Sequence, residues 1–201
     1  RWQYYGVSLP FWRSYDKEDP RREFFYYDYT GDAKRDDQSS YGFHYMVPEE
    51  GVTVVPNDTT KYMQNVATMK YTYDMISDAY YDGRTICIFR LSDVILCKAE
   101  IENNLNGPAA ALPYLNQIRA RAGAPEYGKH DRFPAPTTKE AMNDAILKER
   151  GYELVFEFQR RADLIRFGKY EEIVNAHLKK LGISQPTNVT SALRYFPYPL
   201  N

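Results

Sequence analysis

The sequence has only two cysteines in 201 residues, Cys87 and Cys97. That excludes a disulfide-built scaffold and leaves the redox compartment open. The pair also lacks Cys-x-x-Cys spacing, so it carries no zinc or thiol-exchange signature. A surplus of one charge is missing as well: 26 basic residues meet 27 acidic ones, for a net charge of −1. A nucleic-acid footprint needs basic residues gathered in excess on one face, so nucleic acid is excluded as a partner. No run approaches the roughly 20 apolar residues of a membrane-spanning helix. No signal peptide is visible at Arg1. Gly-rich phosphate loops and Gly-x-Ser-x-Gly elbows are absent. The three histidines, His44, His130 and His177, are scattered along the chain. His177 falls on an apolar helical stripe, where a satisfied core histidine is commoner than a ligand. Cys97 falls within a helical pattern and is expected to be buried as a small apolar group.

What the chain has in excess is aromatic residues, 15% of the total and mostly tyrosine. Of 31 aromatics, 19 lie in residues 1–82. The apolar share of 43% is close to the globular norm of about 45–50% and suffices for a core. The length predicts one domain or two small ones. The aromatic half is broken by turn signals at Asp19-Pro20, Thr30-Gly31-Asp32, Val47-Pro48 and Pro56-Asn57-Asp58, and no helical period persists there. Residues 1–83 therefore read as loop-rich and irregular, with short strands expected at Phe24–Tyr29, Thr53–Val55 and Met69–Tyr73.

Residues 84–201 read as helical. Leu91, Val94, Ile95 and Ala99 recur at helical spacing between Phe89 and Asn104, and the pattern stops near Asn106-Gly107. A second helix begins at Pro108 and runs through Leu112, Leu115, Ile118 and Ala122 to Gly123, a natural C-terminal stop. Pro113 inside it argues for a start later than Pro108. The two form an antiparallel hairpin. Thr137 and Glu140 make a capping box for a long third helix, running from about Thr138 toward Arg166. At 100° per residue, Met142, Ile146, Glu149, Glu153, Phe156, Arg160, Asp163 and Phe167 share one stripe of it. Leu154, Val155, Phe158 and Ile165 fall on the far side, so this helix is expected to be buried on two faces. A fourth helix, about Tyr170 to Leu181, carries Ile173, Val174, His177 and Leu178 on its apolar stripe.

Glu149, Glu153, Arg160 and Asp163 stand among large apolar residues, and buried charges survive only when paired. Arg119 and Arg121 on the second helix are their natural partners. Paired carboxylates also occur in glycosidases. A structural ion network locking helix to helix is the stronger reading here, because most such clusters are structural. Glu157 with Arg161 and Asp163 with Arg166 add pairs at helical spacing.

These segments also carry a resemblance. Arg90-Leu-Ser-Asp-Val-Ile-Leu-Cys-Lys-Ala-Glu100, Leu115-Asn-Gln-Ile-Arg-Ala-Arg-Ala-Gly123, the run from Glu149 to Gly168, Tyr195-Phe-Pro-Tyr-Pro199 and Asp19-Pro-Arg-Arg22 occur in the order of the SusD/RagB family motifs. The chain resembles that family from about Asp19 to Pro199. The resemblance implies a mainly α fold of tetratricopeptide-like helix pairs, with a loop-rich, aromatic-rich region and short strands. It implies a binding protein of Bacteroidetes and not an enzyme. Such a protein is anchored by lipid at the outer-membrane surface. It captures oligosaccharides, or in some branches peptides, and hands them to a TonB-dependent SusC-like transporter. Family members are much longer, so residues 1–201 are expected to be a C-terminal portion. The missing part would supply the second layer over the long helix, and the isolated chain is expected to fold poorly.

The ligand face is expected in residues 1–82. Tyrosine and tryptophan offer an apolar face with a polar tip, which suits the C–H faces and hydroxyls of a sugar. Trp12, Tyr41, Tyr45 and Tyr81 are the expected exposed platforms, with Asp36, Asp37 and Gln38 as hydroxyl partners. Many of the remaining rings are expected to pack the loops. A scaffold without a small ligand is the competing reading. No cofactor is expected. Asp28, Thr30, Asp32 and Asp36 alternate like a calcium loop but lack the glycine at the sixth position and the distal Glu, so a solvated turn is the better reading.

Overall fold

The structure is a computed structural model that describes residues 6–26, 65–68, 70, 87–180 and 190. The chain divides into two units, with the main boundary between residues 86 and 87.

The first unit holds three short strands, β1 (Gly6–Ser8), β2 (Phe25–Tyr26) and β3 (Asn65–Thr68). They form one antiparallel sheet in the order β1-β3-β2, with Val7 opposite Val66 and Phe25 opposite Thr68. The helix α1 (Leu9–Arg13) follows β1 directly, and Ser8 caps it by accepting from the Phe11 N–H. A 3-10 turn, Pro20–Phe24, leads into β2. Asp19 caps that turn. The Arg21 guanidinium also folds back onto the Asp19 carboxylate at 2.7 and 3.0 Å, and both residues are buried. This explains the Asp19-Pro20-Arg21 signal: proline sets the first turn and the pair closes it. Val7, Trp12, Tyr15 and Phe25 are buried. Tyr15 meets Phe11 edge-on and Phe25 at a tilt, both at 5.5 Å. Of the expected strands, only Phe24–Tyr29 overlaps a described one. Thr53–Val55 and all of Met69–Tyr73 except Lys70 lie outside the described residues. The strands β1 and β3 and the helix α1 stand where irregular chain was expected. Each is too short to leave a periodic signal.

The second unit is helical. It comprises α2 (Leu91–Asn106), α3 (Pro108–Ala122), α4 (Lys139–Glu153), α5 (Arg160–Arg166) and α6 (Tyr170–Lys180). The chain reverses between α2 and α3 at Gly107 alone. Its φ of 91° and the open space around it show that backbone conformation is what requires glycine there. Gly123, at φ 71°, ends α3 in the left-handed conformation expected of it. The core joins Leu96 and Ala99 of α2, Ala111, Leu115 and Ile118 of α3, and Met142, Ala145 and Ile146 of α4. Each large side chain so buried is worth about 1.5–3 kcal/mol. The Asn103 amide, fully buried, donates to the Lys139 carbonyl and to Asn143 Oδ1, both at 2.8 Å, tying the end of α2 to the start of α4.

Three helical expectations are corrected. The second helix does start at Pro108, with Pro113 inside it. Pro113 and Ala109 are both exposed, so the carbonyl that the missing N–H would have bonded is left on the solvent side. The cap of α4 is Thr138, accepting from the Ala141 N–H at 3.1 Å, and not Thr137. The long third helix is two helices. It breaks at residues 154–159, where Phe156 and Phe158 have φ of 62° and 61°. Arg90 explains the break: its guanidinium takes the Glu153 carbonyl at 2.6 Å and both Glu157 carboxylate oxygens at 2.9–3.0 Å. The burial expected on the far side is met only in part. Leu154 is buried, Val155 and Ile165 are half-buried, and Phe158 is 86% exposed. The helix that is apolar on two sides is α2. Its inner face enters the core, while Leu91, Val94, Ile101 and Leu105 are exposed.

Candidate functional site

The charged residues on the helical motifs come together in three groups. In the first, Arg119 of α3 reaches Glu149 of α4 at 2.8 Å, with both side chains almost fully buried. Its Nε donates to the Pro125 carbonyl, and its guanidinium lies 4.8 Å from the Tyr127 ring and 4.6 Å from the Phe133 ring. Burial pushes the Tyr127 hydroxyl pKa up, and the Arg119 charge opposes it. Asn116 holds the Tyr127 backbone with two hydrogen bonds of 2.9 Å, which places that ring over Arg119.

In the second group Arg90, just ahead of α2, stands between Glu153 at 2.5 Å and Glu157 at 2.9 Å. It also donates to Ser92 Oγ at 2.6 Å. Arg121 meets the same Glu153 oxygen at 2.5 Å from its exposed position. In the third group Arg150 joins Asp93 of α2, at 2.7 Å, to Asp163 of α5, at 2.8 Å. Arg166 continues it to Asp163, at 2.9 Å, and to Glu100. Burial by itself would lower the Arg150 pKa, but the hydrogen bonds and charges of Asp163 and Asp93 outweigh it and raise it. Arg90 and Arg166 follow the same balance, desolvation opposed and exceeded by Glu157 and Glu153, and by Glu100 and Asp163. These guanidiniums stay charged at any working pH.

Arg160 donates to the Leu147 carbonyl at 2.8 Å and packs over Gly151. A Cβ on Gly151 would stand 2.8 Å from the Arg160 guanidinium, so a larger residue there would make that side chain shift. Cys97 is half-buried and sits at the edge of the third group, 3.6 Å from Arg150 Nη1 and 3.8 Å from Asp93 Oδ1. It is therefore in polar company rather than in the apolar core. Burial pushes its thiol up, with the Arg150 charge opposing.

The chemistry of this arrangement is cohesive. Glu149, Glu153, Glu157, Asp93 and Asp163 each face a guanidinium, and together the groups tie α2, α3, α4 and α5. A glycosidase pair needs two carboxylates facing a shared open space; these carboxylates are buried against arginine. Sequence stripes missed Arg90, Asp93, Glu100 and Arg150 as members. The usable signal was that all four stand inside the quoted motifs. No group of three or more His, Cys, Asp or Glu placed to hold a metal occurs among the described residues.

The expected ligand residues fare differently. Trp12 is not an exposed platform: it is 6% exposed. Its ring carries the Arg22 guanidinium at 4.1 Å, and its Nε1 donates to the Arg22 carbonyl. Like Val7, Tyr15 and Phe25, it is among the buried residues of the first unit. Tyr41, Tyr45, Tyr81, Asp36, Asp37 and Gln38 lie outside the described residues, as do Asp28, Thr30 and Asp32 of the calcium-like pattern.

Comparison with known proteins agrees with the helical architecture. A crystal structure of a SusD superfamily protein from Bacteroides vulgatus matches with a TM-score of 0.55 at 24% identity, over 89% of this chain and 37% of that one. The fold is thus mainly helical and of the SusD kind. The family model described as SusD family matches residues 8–197, and the chain belongs to the SusD family. It is 42% identical over 87 residues to SusD-like protein P25 of Formosa agariphila, covering 43% of this chain and 16% of that protein. It is 36% identical over 95 residues to SusD-like protein P38 of the same organism, covering 46% and 19%. The chain thus matches under a fifth of the length of either curated relative. No helix among the described residues is long and apolar enough to cross a membrane.

Proposed function

We propose that this chain is part of a surface nutrient-binding protein that captures oligosaccharides and delivers them to a TonB-dependent outer-membrane transporter. The observation that carries this reading is the SusD-family match across residues 8–197. In this reading the complete protein is held at the outer membrane by a lipid anchor outside these residues, and it binds without catalysing. The arginine–carboxylate groups of α2–α5 are scaffold. Ligand contacts fall to the aromatic-rich first 82 residues, with Tyr41, Tyr45 and Tyr81 as stacking rings and Asp36, Asp37 and Gln38 as hydroxyl partners. A ring with an apolar face and a polar edge suits a half-hydrated sugar.

Calorimetry of the complete protein against panels of oligosaccharides and peptides tests it. Saturable binding of at least one oligosaccharide is expected, and Tyr41→Ala or Tyr81→Ala is expected to weaken it by roughly 1 kcal/mol or more. Binding of peptides alone would overturn the sugar assignment. Binding of neither, with the transporter still co-purifying, would leave a scaffold role.

A further inference from the structure

The chain passes from α2 to α3 through Asn106 and Gly107, the one Asn-Gly pair in the sequence. An asparagine amide is open to attack by the backbone nitrogen of the next residue, and glycine, with no Cβ, obstructs that attack least. Asn106 is exposed, and no packed neighbour stands within 4 Å of a Cβ position at Gly107, so sterics leave the pair open. Hydrogen bonds and backbone geometry close it. The Gly107 N–H donates to the Glu102 carbonyl at 3.1 Å and to the Asn103 carbonyl at 3.2 Å. The Asn106 Nδ2 donates to Glu102 Oε2 at 2.6 Å, which holds the amide back along α2. Asn106 is also the last residue of α2, and a helical ψ of about −42° does not bring its Cβ and the Gly107 nitrogen into the near-eclipsed arrangement a five-membered ring needs. Asn103, whose carbonyl is one of the acceptors, is tied in turn to Lys139 and Asn143 at the start of α4.

We propose that Asn106-Gly107 is a self-modification site that the folded hairpin keeps closed and that opening of the α2–α3 turn releases. In the open turn the Gly107 nitrogen bonds to Asn106 Cγ and the Cγ–Nδ2 bond breaks. The Gly107 amide proton leaves with the side-chain nitrogen as ammonia. Water then opens the succinimide at either carbonyl, leaving aspartate or isoaspartate. The new carboxylate stands four residues from Glu102, at the negative end of α2, without the donor that Glu102 Oε2 had accepted from. Isoaspartate also adds a carbon to the backbone of a one-residue turn. Both changes loosen the turn, so a hairpin that has opened long enough to react recloses less well.

The test incubates the complete protein in mildly alkaline buffer, folded and in concentrated guanidinium, and follows aspartate and isoaspartate at Asn106 by peptide mass spectrometry. Asn103 and Asn104, followed by Asn and Leu, are references on the same helix. The unfolded chain is expected to react at Asn106 well ahead of both, and the folded protein at least about tenfold more slowly. No preference for Asn106 in guanidinium would overturn the site. Folded and unfolded rates within about twofold of each other would overturn its closure. Hydrogen exchange at the Gly107 amide breaks the same two hydrogen bonds. Folding is therefore expected to slow the modification by at least the exchange protection factor of Gly107. A smaller factor would show attack from the closed turn and overturn the proposal too. Asn103→Ala, which frees the end of α2 from α4, is expected to raise the folded-state rate severalfold and leave the guanidinium rate unchanged. An unchanged folded-state rate would overturn the coupling to α4. If that variant fails to fold, the exchange comparison on the unsubstituted protein still decides.

Discussion

At the scale of single residues, the helical unit depends on charges held out of water. Arg119 and Glu149 are both buried, and removing one leaves the other uncompensated. Breaking such a pair costs about 3–5 kcal/mol, whereas replacing both partners by apolar groups is often neutral. Arg119→Met is therefore expected to destabilise the complete protein by about 3–5 kcal/mol, and Arg119→Met with Glu149→Leu to recover most of that loss. Denaturant unfolding of the single and double variants checks this, and equal losses would remove the pair from the account. Phe158 presents the opposite case. Its ring is 86% exposed while its backbone holds a φ of 61°, a conformation that costs L residues about 1–2 kcal/mol. Phe158→Gly is expected to raise stability by up to about 1 kcal/mol, since little buried area is lost. A lower melting temperature would instead assign the ring a contact beyond these residues.

At the scale of elements, one arginine decides where α4 stops. The apolar period continues past Glu153, and helix propensity alone would carry it on to Arg166. Arg90 offers the Glu153 carbonyl and the Glu157 carboxylate better partners than a further helical turn does. Arg90→Ala is expected to remove the guanidinium that Glu157 and the Glu153 carbonyl share, leaving Arg121 on Glu153, and to speed amide exchange at Leu154 and Glu157. Hydrogen exchange read by mass spectrometry checks this, and unchanged exchange there would sink the capping role. The end of α3 behaves differently, because Gly123 carries its own stop signal. The α2–α3 hairpin was legible in the sequence for that reason: its punctuation is local, at Gly107, Pro108 and Gly123. The break after Glu153 was not legible, because its cause lies more than sixty residues upstream.

At the scale of the whole molecule, the helical unit shows α2 with one face buried and one exposed. That arrangement predicts that residues 1–201 taken alone unfold over a shallow transition in urea, with an m-value below that expected for their size. A steep, cooperative transition with a size-appropriate m-value would refute this. The ordering of motifs along the chain was enough to identify the family, because local residue patterns survive whatever packs around them. Sequence by itself determined the helical half, the α2–α3 hairpin and the inward turn of Glu149 and Glu153 within α4, since these follow from periodicity and from the cost of burying unpaired charge. Only the tertiary structure decided which guanidinium meets which carboxylate, that Trp12 is buried, and that the long stripe is two helices. Those outcomes depend on contacts between residues far apart in the chain, which no local period encodes.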